Sequence, residues 1–216
     1  LNQHENYLQA DQAYGFPLLI KNLLSRAKVV SGDKKIHYAD KTSYTYQEFF
    51  KRVNRLANVL KGLNLQKGDV VAVMDWDTHR YLECYFAIPM CGYILQTVNV
   101  RLSEDKVLYT INHAKPKALL LNSEFSPMIK SHTQDAPSVE HVIWLDDNNT
   151  PMPSYAQGEY EAMLAQASDE YEFEDFDENT IATTFYTSGT TGNPKGVFFS
   201  HRQIVMHTLV VAIAVA

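Results

Sequence analysis

The chain has 216 residues, 25 acidic against 19 basic side chains, a formal net charge of −6, and 45% hydrophobic residues. That length suffices for one large domain, or one and a half, with a sizeable core, and the composition excludes a disordered or fibrous chain. There is no Lys/Arg run to track a nucleic-acid backbone, the two cysteines are too few for a disulfide framework, and no apolar stretch approaches the roughly 20 residues that span a bilayer.

The first strong element is "TYQEFFKRVNRLANVLKGLNL", residues 45–65. Thr45 and Glu48 have capping-box spacing, Phe49, Val53, Leu56, Ala57 and Leu60 recur at helical spacing, and Gly62 marks the stop. The apolar run "GDVVAVMD" follows, as expected of a strand covered on both faces. Thr78 to Gly92 reads as a helix despite Pro89, and "YILQTVNV" as a strand. Ser103 caps a third helix that ends near Lys115-Pro116, because the residue before proline avoids the helical region. "KALLL" and "VEHVIWL" are two further strands with a short helix around Phe125 to His132 between them. Cys84 and Cys91 fall in one helix, where neither a bridge nor a metal knuckle is expected, and a reducing cytoplasm fits.

Residues 146–180 break this rhythm with "DDNNTPMPS", a helical "EYEAMLAQA" and the acidic "DEYEFEDFDEN", read as a solvated face or linker without a ligand. "TIATTFYT" resumes as a strand, "GVFFSH" reads as another, and "RQIVMHTLVVAIAVA" begins a helix with no stop signal, whose apolar run Leu209 to Ala216 is read as core. Helix and strand alternating with short connections predict an α/β fold, a doubly wound parallel sheet flanked by helices. The division is an N-terminal α/β subdomain over 1–145, an acidic connecting segment over 146–180, and a phosphate-loop hairpin with the start of a truncated helix over 181–216.

Between the last two strands lies "YTSGTTGNPKGVFFSH", residues 186–201. Side chains that are hydroxyls or hydrogens let backbone N–H groups close on a bulky anion, and glycine permits the φ values a concave nest requires. Phosphate is the natural guest. The loop is not a Walker P-loop, which needs Gly before its Lys, a hydroxyl after it and a following helix. Here Pro194 precedes Lys195, Gly196 follows, and β-formers come next. Lys195 would supply a point charge to β- and γ-phosphates, with Pro194 stiffening its approach.

"YTSGTTGNPKGV" followed by "SH" resembles the signature phosphate loop of the adenylate-forming superfamily, which includes acyl-CoA synthetases, firefly luciferase and the adenylation domains of peptide synthetases. "TSYTYQEFFKRVNRLANVLKGLNLQKGDVVAV" is similar to the early helix-strand segment of that family, and "YFAIPMCGYILQTVNVRLSEDKVLYTINHAKPKALLL" to its medium- and long-chain fatty acyl-CoA synthetase branch. The resemblance covers nearly all of residues 15–216. It implies two-step chemistry, in which a carboxylic acid and Mg·ATP form an acyl-adenylate and pyrophosphate, and the thiol of coenzyme A then displaces AMP. It places Thr187, Ser188, Gly189, Thr190, Thr191, Gly192, Asn193, Pro194 and Lys195 around ATP, with Thr187 as the hydroxyl beside Mg²⁺; Thr190 and Thr191 stay open for that role. No residue of the chain is expected to be catalytic, because the family's acidic, adenine-binding and lysine motifs are not in this sequence.

By the same resemblance the chain is an N-terminal piece of a longer enzyme, inactive alone, whose exposed apolar surface favours self-association, with a homodimer as one form. Two other functions fit the residues: a non-catalytic nucleotide- or phosphate-binding module, and a peptide-synthetase adenylation domain. His201 reads as structural. His79, Arg80 and Glu83 read as a solvated helix start, although they lie near a strand's carboxyl edge, and His207 is off metal-pair spacing from His201. Phe185 and Tyr186 read as strand packing, and Trp76, Tyr81, Tyr85 and Phe86 as helix packing.

Overall fold

The computed structural model describes residues 15–187 and 192–215. Helix α1 (Lys21–Val30) leads into a two-stranded antiparallel hairpin, β1 (Lys35–Tyr38) and β2 (Thr42–Thr45). Neither was read from sequence, because strands of four residues with half-buried alternation carry little pattern. Helix α2 (Tyr46–Gly62) begins as predicted: the Thr45 hydroxyl accepts the Glu48 N–H, and Phe49, Val53, Leu56, Ala57 and Leu60 are buried. Then come β3 (Val70–Met74), α3 (His79–Met90, capped by Thr78), β4 (Ile94–Thr97), α4 (Glu104–Ala114), β5 (Ala118–Asn122), α5 (His132–Asp135), β6 (His141–Leu145), β7 (Gly158–Glu159), α6 (Tyr160–Gln166), β8 (Ile181–Thr187), β9 (Lys195–Ser200) and α7 (His201–Val215). The helix expected around Phe125 to His132 is instead a 3₁₀ turn over Ser123–Met128 followed by α5. Asn122 starts the turn early by capping the Glu124 N–H, and Pro127 lies inside it.

Seven strands form one sheet in the order β7-β6-β5-β3-β4-β8-β9, parallel throughout except for the antiparallel β8–β9 hairpin. The run "VVAVM" is apolar at every position because the sheet is covered on both sides and successive side chains alternate. Val71 and Val73 point into the core built with α1, α2, α3 and α6. Ala72 and Met74 point into the core built with Val107 and Ile111 of α4 and Phe125 of the 3₁₀ turn. The fold is the predicted α/β sheet flanked by helices, with its last strand reversed.

The acidic segment is ordered. Most of its charges face outward, as read, but its aromatic residues turn inward: Tyr171 and Phe173 pack against the core beside α2, and Phe176 meets the His201 ring edge-on. Asn58 donates to the Ser168 and Glu170 carbonyls, Asn54 to that of Asp169, and Lys21 to that of Phe173. Backbone carbonyls thus anchor the strap, helped by the Glu178 carboxylate, which accepts the Leu18 N–H and pairs with Arg202.

His79, Arg80 and Glu83 do not form a solvated helix start. Glu83 is 0% exposed and Arg80 1% exposed. The Glu83 carboxylate accepts from Tyr44 Oη at 2.7 Å, Arg52 Nε at 2.6 Å and Tyr160 Oη at 2.6 Å. Arg52 also forms paired bonds to Glu161, both 2.8 Å, and Glu161 meets His79 Nε2. Burial disfavours the Arg52 charge, but its bonds to Glu161 and Glu83 outweigh that and raise its pKa. Burial likewise opposes ionisation of Glu161, and His79 and Arg52 nevertheless bring it down to about 2. Arg80 donates to the Asp146 carbonyl and the Asp147 carboxylate. The hairpin, α2, α3 and α6 are knotted together by these charges.

The C-terminal apolar run is not core: Leu209, Val210, Val211, Ile213 and Val215 are exposed, and α7 buries only His201 and Val205. A helix apolar all round has no polar face to aim outward, so its pattern did not reveal its exposure. Among the described residues no helix is long and apolar enough to cross a membrane.

His201 is structural, as read. It is 0% exposed, its Nδ1 accepts the Ile20 N–H at 3.3 Å, and burial pushes its pKa down to about 4, partly opposed by the Pro89 carbonyl. A depressed histidine stabilises the fold above its ordinary pKa of about 6.5, and that contribution is lost as pH falls toward 4. Chemical unfolding at pH 7.5 and pH 4 should therefore show a loss of about 2–3 kcal/mol that is absent from His201→Gln, beyond the shared carboxylate titration. Equal pH dependence in both proteins would refute this.

Candidate functional site at the carboxyl edge of the sheet

The strand order places β3 centrally, with the chain passing to β4 on one side and then back to β5 on the other. Open α/β sheets bind ligands outside the carboxyl ends of the strands at such a reversal. A cleft of about 310 Å³ lies there, lined by Asp75, Trp76 and Asp77 after β3, Thr97 to Arg101 at the end of β4, Tyr81 of α3, and Phe185 and Tyr186 of β8. Trp76 lies outside any helix, contrary to expectation, and Tyr85 sits on the open side of α3. Trp76 sits in the turn between β3 and α3, is 36% exposed, rests on Phe125 at 4.9 Å between ring centroids, and carries the Arg101 guanidinium 5.5 Å from its ring centre. Tyr85 is 43% exposed and tilts against Tyr81, whereas Tyr81 and Phe86 do pack into the core.

The β8–β9 hairpin rises at the same edge. Its register pairs Thr187 directly with Lys195 and Tyr186 with Gly196. Directly opposed residues of an antiparallel pair share a face, with Cβ atoms about 5 Å apart. The Thr187 hydroxyl and the Lys195 side chain therefore flank the mouth of the loop together, and both residues are exposed. On the other face a Cβ at Gly196 would sit 3.4 Å from the Tyr186 ring, so glycine lets that ring lie close over the strand. Tyr186 Oη reaches His113 Nδ1 at 2.7 Å and thereby ties β8 to the last turn of α4. Tyr186 is thus both strand packing and cleft wall.

Within the loop, Gly192 has φ +98°, a region closed to most side chains, and Pro194 is buried behind it. Asn193 is exposed. Ser188, Gly189, Thr190 and Thr191 lie outside the described residues. Among the described residues there is no group of three or more His, Cys, Asp or Glu able to hold a metal ion. The sequence missed Asp75 and Arg101, which carry no motif and reach the cleft only because β3 and β4 are neighbours.

A crevice at a strand-order reversal beside a glycine hairpin is where α/β domains of the open-sheet class take their ligands. A family profile described as "AMP-binding enzyme" matches residues 24–215, and the chain belongs to that family, as the phosphate-loop resemblance led one to expect. It is 34% identical over 201 residues to a medium-chain-fatty-acid–CoA ligase of Ectopseudomonas oleovorans, covering 90% of this chain and 37% of the relative. It is 35% identical over 187 residues to a long-chain-fatty-acid–CoA ligase of Thermus thermophilus, covering 87% of this chain and 33% of the relative. Among solved structures, ATP-bound MatB from Rhodopseudomonas palustris superposes with a TM-score of 0.75 at 25% identity, over 90% of this chain and 37% of that one. The fold also matches the anthranilate CoA ligase AuaEII, TM-score 0.78 at 24% identity, over 87% of this chain and 36% of that one. The chain thus spans only about a third of the length of these relatives.

Proposed function

We propose that the protein carrying this sequence activates a medium- or long-chain fatty acid, or a similar apolar acid, with ATP and passes the acyl group to coenzyme A. The carboxylate oxygen attacks the α-phosphorus, the α–β phosphoanhydride bond breaks, and pyrophosphate leaves. The coenzyme A sulfur then attacks the acyl carbonyl, AMP leaves, and the thiol proton passes to solvent. The observation carrying this reading is the opposition of Thr187 and Lys195 across the mouth of a glycine hairpin, beside a cleft at the carboxyl edge of the sheet.

In this reading the loop from Thr187 to Lys195 closes its amides on the β- and γ-phosphates, and the Lys195 ammonium offsets the charge that builds on departing pyrophosphate. The Thr187 hydroxyl is a hard oxygen donor that would hold Mg²⁺, and the ion when bound would supply further charge neutralisation to the polyphosphate. The cleft holds the remaining reactant in line with the loop, which lowers the barrier by positioning. Two buried, unbridged cysteines fit a reducing compartment such as the cytoplasm. Mass spectrometry of the protein expressed from its complete reading frame tests this. Acyl-AMP should accumulate with acid and ATP, and thioester should appear on adding coenzyme A. A protein that binds ATP but forms neither product would be a non-catalytic module.

We also infer that the 216-residue chain by itself self-associates through the exposed side chains of β9 and α7, among them Phe198, Phe199, Val210 and Ile213. Sedimentation velocity should show concentration-dependent species that decline in the Val210→Lys/Ile213→Lys variant. A monomer at all concentrations would contradict this.

A further inference from the structure

Asp75 follows β3 directly and is 3% exposed, an unusual place for a carboxylate. Both of its oxygens are occupied. Asn122 Nδ2, at the end of the neighbouring strand β5, donates to Oδ1 at 2.6 Å, and the Thr78 hydroxyl, at the cap of α3, donates to Oδ2. The same Thr78 hydroxyl accepts the Tyr81 N–H, so one chain of bonds links two strand ends to the first turn of a helix. Trp76 and Asp77 are the only residues between Asp75 and Thr78, and this clamp therefore sets their path. Trp76 Nε1 is held from the far side by Glu124, two residues beyond Asn122. Its ring contacts Phe125, carries the Arg101 guanidinium and forms one wall of the cleft.

We propose that Asp75 is a positioning residue: its carboxylate oxygens are engaged by Asn122 and Thr78, and it acts through Trp76, which it holds, with Arg101 stacked on it, at the orientation the cleft requires. This rests on the cleft being a substrate site of the proposed reaction. Burial raises the Asp75 pKa, mainly by desolvation, and its bonds to Thr78 and Asn122 oppose that shift. A carboxylate kept in an environment that penalises its charge points to a geometric task that a smaller apolar residue would not perform.

The test uses the protein from its complete reading frame, with Asp75→Ala, Asp75→Asn and the swap Asp75→Asn/Asn122→Asp. Trp76 emission is isolated by subtracting the spectrum of Trp76→Phe. Asp75→Ala should shift that emission to the red and raise its acrylamide quenching. At least one of the three substrate KM values should rise about tenfold while kcat changes far less. The swap restores an amide-to-carboxylate bond between β3 and β5 and should recover both readouts. Unmoved Trp76 emission, or KM values that all stay within about twofold of the parent in a folded Asp75→Ala protein, would overturn the proposal. If no acid is activated by the parent, the proposed reaction fails, yet the emission still reports whether Asp75 sets Trp76.

Discussion

Glu83→Ala is expected to destabilise the fold by about 3–5 kcal/mol, the cost of leaving the partners of a buried ion pair uncompensated. Glu83 lies at the centre of the knot: removing it strands Tyr160 Oη, Tyr44 Oη and Arg52 Nε in a site where the carboxylate is 0% exposed. Arg52 keeps its bonds to Glu161, whose side chain is 39% exposed, so part of its charge remains matched. Arg52→Ala should accordingly cost a similar amount, because it orphans Glu83 instead. A surface pair such as Lys130 with Glu104, where both side chains are largely exposed, should cost under about 1 kcal/mol when broken. Urea unfolding of the three variants ranks them. If Glu83→Ala costs no more than the surface pair, the knot is not a determinant of stability.

Lys195→Ala is expected to lower kcat of the whole protein about 10²-fold, the scale seen when one preorganised group opposite developing charge is removed. Lys195→Arg should recover only part of the loss, since a planar fork does not replace a compact ammonium at a turn followed by a strand. Stability should barely change, because Lys195 is exposed at the hairpin mouth. Unchanged kcat in Lys195→Ala would remove the cation from the proposed mechanism.

Most of the sheet was legible from sequence because its strands are short apolar runs between amphipathic helices, a pattern with few other solutions. Caps were readable in part: Thr45 accepts the Glu48 N–H as its spacing predicts, whereas Ser103 precedes α4 without a side-chain capping bond. The C-terminal run Leu209 to Val215 was misread because hydrophobicity says what a residue prefers and not what stands next to it. Arg80 and Glu83 were misread for the complementary reason. Their charge is tolerable only because Asp147, Arg52 and Tyr160 arrive from 31 to 77 residues away, and such matches leave no local trace. The glycine hairpin was legible because its chemistry is local, whereas the cleft beside it is assembled from β3, β4 and β8 and became visible only with the strand order.

Isotope exchange between pyrophosphate and ATP, run on the protein from its complete reading frame with a panel of carboxylic acids, separates acid activation from plain nucleotide binding. Exchange should depend on adding an apolar acid, require no coenzyme A, and fall together with kcat in Lys195→Ala. Exchange indifferent to the acid, or untouched by that substitution, would contradict the assignment of the hairpin to the polyphosphate of ATP.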